Sequence, residues 1–189
     1  MAATSASDDK AALRHGLLAA RREIVAGRDR EADDSALAER VLALAHELGL
    51  GAGSTVAAYE AMRTEPPMKA TFSALAAHGI RVLVPVTLPD NDLDWCDAAD
   101  EHRMPLGPDA VSAAGLVLAP GLAADTGGTR LGRGGGSYDR ALLRRGAGSH
   151  VVVVLHPGEV RDARDAPLPR DEHDLPVDGV LTVDGTAWF

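Results

Sequence analysis

Residues 151–155 read VVVVL, an apolar run that no polar residue interrupts. A strand with one face in water alternates apolar and polar residues, whereas a strand covered on both faces is apolar throughout. The run therefore predicts an inner strand of a parallel sheet. Four other largely apolar stretches predict further strands at residues 54–59, 80–84, 115–119 and 179–183.

Helices are predicted between these strands from apolar residues that recur every three or four positions. The first spans residues 10–26, with Ser7 as its N-cap, Gly27 at its end and an apolar face of Leu13, Leu17, Ala20 and Ile24. The others span residues 35–48, a short segment around Phe72 that ends at Gly79, and residues 138–145. The alternation predicts an α/β fold: a single three-layer, Rossmann-like domain over residues 1–189, with a mostly parallel sheet flanked by helices and a flexible N-terminus at residues 1–8.

Composition narrows the class of protein. The 189 residues, 46% of them hydrophobic, suffice for one domain with a substantial core. Cys96 is the only cysteine, so an intrachain disulfide is impossible, and we expect a buried thiol in a reducing compartment. The N-terminus lacks a secretory pattern, and no apolar stretch is long enough to span a membrane. We therefore expect a cytoplasmic monomer that does not associate with membranes.

The charge is unevenly distributed along the chain. The formal net charge is −9, which disfavours binding to nucleic acid or to an anionic membrane. Basic residues nevertheless cluster at positions 10–22, which contain no acid, and at positions 130–145, where Asp139 is the only acid. Two local basic clusters on an acidic chain favour a small anionic ligand over a polymer, although each cluster alone also fits a solvated helix face.

The second cluster contains the sequence RLGRGGGSYDR at residues 130–140. Three consecutive glycines leave the backbone N–H groups open to a ligand, and the arginines beside them supply permanent charge. We predict that Ser137 caps the following helix, whose N-terminus favours anions. The segment therefore predicts a phosphate site with Asp139 as a magnesium ligand, the alternative being a flexible surface loop.

Several familiar catalytic motifs do not occur in this chain. It has no Walker GxxxxGK[ST], no Rossmann GxGxxG, no GxSxG nucleophile elbow, and neither HExxH nor paired CxxC. His156 and His173 are expected to be structural or solvated. What is left is an ATP-type site without an enzyme nucleophile, which favours phosphoryl transfer driven by positioning and charge stabilisation.

Four segments together resemble 5-formyltetrahydrofolate cyclo-ligases, also called methenyltetrahydrofolate synthetases. LAPGLAADTGGTRLGRGGGSYDR at residues 118–140 is similar to the family's signature, and KAALR at residues 10–14 is similar to its K-x-x-L-R opening. DEHDLPVD at residues 171–178 and the spacing from Tyr59 to Glu65 also match, in the family's order. The resemblance covers nearly the whole chain.

The resemblance implies an ATP- and Mg²⁺-dependent reaction. ATP phosphorylates the formyl oxygen of 5-formyltetrahydrofolate, a second folate nitrogen attacks the activated carbon, and loss of phosphate gives 5,10-methenyltetrahydrofolate. The ATP-binding residues that it implies are Lys10, Arg14, Arg130, Leu131, Gly132, Arg133, Gly134, Gly135, Gly136, Ser137 and Tyr138. The substrate-binding residues that it implies are Glu60, Glu65, Arg133, Gly134, Gly135, Gly136 and Ser137. The magnesium ligands that it implies are Asp139 and Asp171.

The chain also departs from the family pattern, which leaves two other functions open. Ser137 and Ala124 stand where the family commonly has aromatic residues, and the segment between Trp95 and Pro120 is shorter than usual. Lost aromatic surface weakens ring binding. The alternatives are a non-catalytic nucleotide- or folate-binding paralogue, and a sugar-phosphate or acyl-group enzyme on a similar scaffold.

Overall fold

The computed structural model describes residues 6–171 and 174–189 of the chain. In chain order its elements are α1 (Ala6–Ala26), α2 (Arg30–Glu47), β1 (Thr55–Ala57), α3 (Lys69–Ala77), β2 (Arg81–Thr87), β3 (Leu93–Asp97), a 3-10 helix (Pro108–Ala113), β4 (Leu116–Pro120), β5 (Ala123–Asp125), β6 (Arg130–Leu131), α4 (Ser137–Leu142), β7 (His150–Val154), β8 (Val160–Arg161), β9 (Gly179–Thr182) and β10 (Gly185–Trp188).

A seven-stranded sheet forms the centre of the fold, in the order β10-β9-β7-β4-β1-β2-β3. The inner five strands run parallel, and only the edge strands β3 and β10 pair antiparallel. After β1 the chain adds β2 and β3 on one side of β1. The later strands β4, β7 and β9 are added on the other side, so the direction of strand addition reverses beside β1. The predicted mostly parallel sheet is confirmed, and such a switch point is where open α/β sheets bind ligands.

The valine run lies at the middle of this sheet, as predicted. Val152 and Val154 belong to the apolar cluster on one face, and Val151 and Val153 belong to the cluster on the other face. All four are fully buried. A strand covered on both sides has no solvent-facing position for a polar residue, which explains the unbroken run.

Helices cover both faces of the sheet, so the predicted three-layer arrangement is confirmed. α2 and α3 pack together on one face, where Leu37, Val41 and Leu44 of α2 are buried. The 3-10 helix and α4 cover the other face through Val111 and Leu142. None of the helices in the described part of the chain has the length and apolar character to cross a bilayer.

A small second sheet, in the order β6-β5-β8, was not predicted. Leu13 and Leu17 of α1 pack against its cluster of Ala123, Leu131 and Leu168. The inward face of α1 also includes two buried cations, Lys10 and Arg21, while Ala20 of the predicted apolar face is exposed. Basic residues of this helix therefore lie on its buried side.

Three predicted helix boundaries are wrong. α1 begins at Ala6, so residues 6–8 are helical and Ser7 is not its N-cap; residues 1–5 lie outside the described part. α2 begins at Arg30 because the Asp29 carboxylate caps it by accepting the N–H groups of residues 31 and 32. The N-cap of α4 is Gly136, whose φ of +68° favours glycine, so Ser137 is the first helical residue and makes no capping bond. The helix ends at Leu142 and not at residue 145.

Candidate functional site

A cavity of about 510 Å³ opens at the carboxyl edge of the sheet. Residues that follow β1 and β4, together with the end of β2, form its floor, and the loop between β6 and α4 forms one side. Every residue to which sequence analysis assigned ATP, substrate or metal lines this cavity. The structure therefore brings together segments that lie far apart in the chain: α1, the residues after β1, and the glycine-rich loop.

The glycine-rich loop lies against α1. Arg14 of α1 donates a hydrogen bond from Nε to the carbonyl oxygen of Gly132, at 3.0 Å. Gly134 has a φ of +104°, and a Cβ atom at this position would lie 3.3 Å from Cζ of Arg14. A side chain at this position would be strained by the positive φ and would require the guanidinium of Arg14 to shift, so glycine favours this close approach.

Lys10 of α1 is 5% exposed and is held by two carboxylates. Its Nζ donates to Oδ2 of Asp171 at 2.6 Å and to Oδ2 of Asp174 at 2.5 Å. Burial alone would lower the pKa of Lys10, but these hydrogen bonds outweigh burial and raise it. Asp174 was missed by sequence reasoning, although its position three residues after Asp171 was a usable signal.

Arg130 and Tyr138 form the next part of the wall. Arg130 donates from Nη2 to Oδ1 of Asp139 at 2.5 Å and from Nη1 to the carbonyl oxygen of Pro120 at 3.2 Å. Its Cζ lies 5.9 Å from the centre of the Tyr138 ring. Burial raises the pKa of the Tyr138 hydroxyl, which has no hydrogen-bond partner among the described residues.

Glu60 and Glu65, from the segment that follows β1, also line the cavity. Arg103 pairs with both carboxylate oxygens of the exposed Glu60, each at 2.9 Å. Glu65 is 6% exposed; its Oε2 accepts the N–H of Met62 at 2.9 Å, and its Oε1 lies 3.9 Å from Nε of Arg133. Sequence reasoning missed Arg103, and it missed the apolar wall here, which consists of Met62, Pro85 and Leu93.

Two cations of this cavity, Lys10 and Arg130, are paired with carboxylates that also line it. Within residues 6–171 and 174–189, no three histidine, cysteine or acidic side chains come together as a ready metal site. Asp139 and Asp171 instead accept hydrogen bonds from Arg130 and Lys10. A ligand with phosphates has a set of cations to engage here, and a phosphate that bound Lys10 or Arg130 would release a carboxylate.

Most of the other residues that the sequence points to lie outside the cavity. Arg144 pairs with Asp92, so the second basic cluster is divided between the cavity and this ion pair. Cys96 is fully buried, as predicted, and His156 is 4% exposed and does not line the cavity; His173 lies outside the described residues. Ala124 is buried in the core and does not line the cavity, whereas Ser137 does.

Comparison with protein families gives the same assignment as the motifs. Residues 6–183 match the 5-formyltetrahydrofolate cyclo-ligase family. This chain belongs to that family. A cyclo-ligase of this family from Mycolicibacterium smegmatis is 34% identical over 147 residues, which are 69% of this chain and 74% of that protein. One from Mus musculus is 38% identical over 81 residues, or 42% of this chain and 40% of that protein.

Solved structures agree with the fold. A 5,10-methenyltetrahydrofolate synthetase from Mycoplasma pneumoniae superimposes with a TM-score of 0.74 at 20% identity, over 93% of this chain and 99% of that one. The corresponding protein from Aquifex aeolicus gives 0.67 at 22% identity, over 95% and 92% of the two chains. At these identities the likeness establishes the shared fold.

Proposed function

We propose that this chain converts 5-formyltetrahydrofolate to 5,10-methenyltetrahydrofolate with ATP and Mg²⁺, releasing ADP and phosphate. One observation carries the proposal: α1, the glycine-rich loop and the segment after β1 contribute their predicted ligand-binding residues to a single cavity at the carboxyl edge of the sheet. Family membership over residues 6–183 supports the same reaction.

The phosphates of ATP belong, in this proposal, on the side formed by α1 and the glycine-rich loop. Lys10, Arg14 and Arg130 supply positive charge there, and the glycines at positions 132 and 134–136 supply backbone without side chains. Fixed cations and N–H groups that face a transferring phosphoryl group stabilise its charge without reorganisation. No enzyme nucleophile is required, because the formyl oxygen of the substrate itself accepts the phosphoryl group.

The reduced folate belongs on the other side, beside Glu60 and Glu65. A carboxylate accepts hydrogen bonds from two neighbouring N–H groups, and the pterin ring presents such a pair. Glu65 is largely buried, so water competes weakly for its free oxygen. Arg133 belongs to the glycine-rich loop and its side chain reaches to 3.9 Å from Glu65, so it can act on both the phosphates and the substrate.

We assign Mg²⁺ to Asp139 and Asp171. Both carboxylates line the cavity, together with Asp174, and oxygen ligands of this kind suit the ion. Their present cation partners, Arg130 and Lys10, are residues that we assign to phosphate, so phosphate binding would free the carboxylates for the metal. Bound Mg²⁺ would neutralise charge on the ATP phosphates.

We further propose that the protein acts as a monomer on small molecules and not on nucleic acid, which its net charge of −9 disfavours. The single cysteine, free and buried, fits a reducing cytoplasm.

A turnover assay tests the proposal. Purified protein with 5-formyltetrahydrofolate, ATP and Mg²⁺ should produce the near-ultraviolet absorbance of the methenyl product, and omitting ATP should abolish it. Arg133→Ala should lower kcat by about 100-fold, the effect of losing one donor to a transition-state charge. Arg164→Ala is the matched control, because this exposed arginine does not line the cavity.

Two results would contradict the proposal. One is a folded wild-type protein that gives no methenyl product at high concentration. The other is an Arg133→Ala variant that keeps the wild-type kcat and ATP affinity. Calorimetric binding of ATP or folate without turnover would favour the non-catalytic paralogue.

A further inference from the structure

The segment between β1 and α3, which carries Glu60 and Glu65, is held from outside the cavity by two side chains. Arg30 donates to the carbonyl oxygens of residues 62, 63 and 65, at 3.3, 3.0 and 2.8 Å. Nε2 of His156 lies 3.2 Å from the carbonyl oxygen of residue 64. Four successive backbone carbonyls are therefore each contacted by Arg30 or His156, and neither of these residues lines the cavity.

The same backbone fixes the carboxylate of Glu65. The N–H of Glu65 donates to the carbonyl oxygen of Met62 at 3.0 Å, and the N–H of Met62 donates to Oε2 of Glu65 at 2.9 Å. This reciprocal pair links the direction of the side chain to the conformation of the turn. With Oε2 occupied, Oε1 is the oxygen that remains for a ligand, so a shift of the turn moves it directly.

Both anchors are themselves fixed. Arg30 is the first residue of α2, directly after the capping Asp29. His156 follows β7, and its backbone N–H donates to Oε2 of Glu159 at 2.9 Å, while Glu159 forms a buried pair with Arg21 of α1. A carbonyl oxygen only accepts hydrogen bonds, so the imidazole carries a proton on Nε2.

We propose that Arg30 and His156 are positioning residues for Glu65. They set the affinity for a ligand whose neighbouring N–H groups bind the Glu65 carboxylate, without touching that ligand. The inference rests on the proposed function, in which this ligand is the pterin ring of the reduced folate. It also predicts unequal effects on the two ligands: losing an anchor weakens folate binding much more than ATP binding, because Lys10 and Arg14 are held by contacts outside this turn.

Arg30→Gln tests this, because Arg30 is exposed and the variant should fold. The matched control is Arg40→Gln, also an exposed arginine of α2, whose Nε donates to the carbonyl oxygen of Val183 at 3.2 Å. Amide hydrogen exchange rates of residues 60–66 measure how stably the turn is held, in the absence of any ligand. Calorimetry then gives the Kd for 5-formyltetrahydrofolate and, separately, for ATP.

We expect Arg30→Gln to accelerate exchange at the Met62 and Glu65 amides and to raise the folate Kd about tenfold. Its Kd for ATP should stay within about twofold of wild type. In Arg40→Gln the Kd for folate and the Kd for ATP should both stay within that range. His156→Ala should act in the same direction, and His156→Gln should restore most of the folate affinity because its amide can donate to the same carbonyl.

Unchanged exchange in Arg30→Gln would overturn the inference, as would equal losses of folate and ATP affinity, which indicate a general structural role. A wild-type chain that binds no folate would instead refute the proposed function. The exchange measurement would still decide in that case whether Arg30 fixes the turn.

Discussion

Replacing Gly134 with alanine tests whether the glycine-rich loop is shaped to receive Arg14. At this position φ is +104°, a conformation that L-residues rarely adopt, and a new Cβ would lie 3.3 Å from Cζ of Arg14. The substitution therefore combines backbone strain with displacement of the guanidinium. Gly135→Ala is the matched control, because its Cβ would meet only Oγ of Ser137, at an ordinary distance of 3.5 Å.

The two effects have separate magnitudes. A residue forced into a sparsely populated backbone region costs about 1–3 kcal/mol. For a domain of this length, 2 kcal/mol corresponds to a decrease in Tm of about 4–8 °C. The hydrogen bond from Arg14 to Gly132 is charge-assisted, and losing such a bond costs about 1.5–3 kcal/mol. If Arg14 must keep this position to bind ATP, the Kd for ATP rises by about 10- to 100-fold.

Thermal unfolding by circular dichroism gives the first quantity, and calorimetric titration with ATP gives the second. Gly134→Ala should lower Tm and weaken ATP binding, while Gly135→Ala should leave Tm nearly unchanged and shows how much a methyl group in this loop alone weakens ATP binding. If the two variants have the same Tm and the same Kd for ATP, the loop is not shaped around Arg14 and the reasoning is wrong.

Three further predictions concern other parts of the molecule. Burial lowers the pKa of His156 below its value in the unfolded chain, so the unfolded state binds the proton first as the pH falls. The free energy of unfolding should therefore decrease between about pH 7 and pH 5. Urea titrations should find a smaller decrease in His156→Gln. Arg21→Met leaves the carboxylate of Glu159 buried without its cation and should cost about 3–5 kcal/mol in urea unfolding, with part of the loss recovered when Glu159→Gln is added. Ser137→Tyr adds an aromatic surface to the cavity and should tighten folate binding about fivefold, for a stacking energy of about 1 kcal/mol, whereas Ser137→Ala should not. If calorimetric titration finds the same folate affinity in Ser137→Tyr and in wild type, Ser137 does not face the substrate.

The sequence predicts the inner strands well because these strands are buried on both faces. The five apolar stretches all became parallel strands of the central sheet. The edge strands β3 and β10 were missed, since Asp94 and Thr186 interrupt their apolar character. The three strands of the small sheet have only two or three residues each, too few for any periodicity to be recognised.

The site could be predicted where residue type and spacing carry the information. The signature around the glycines and the K-x-x-L-R opening identified residues that all line the cavity. Partners such as Asp174, Arg103 and Arg30 were missed, because each acts through a contact with a residue distant in the chain. The prediction that Ser137 caps α4 was wrong for a local reason. The capping residue has a left-handed backbone conformation, which favours glycine, and this residue is Gly136.

The two tryptophans occupy contrasting surroundings. Trp95 is completely buried in β3, opposite Pro85 and two residues from Leu93, both of which line the cavity. Trp188 is 40% exposed at the far edge of the sheet. A Trp188→Phe protein would therefore have one indole emitter, shielded from solvent and next to the binding wall. Its fluorescence would make nucleotide and folate occupancy readable optically, in a stopped-flow instrument and without a label.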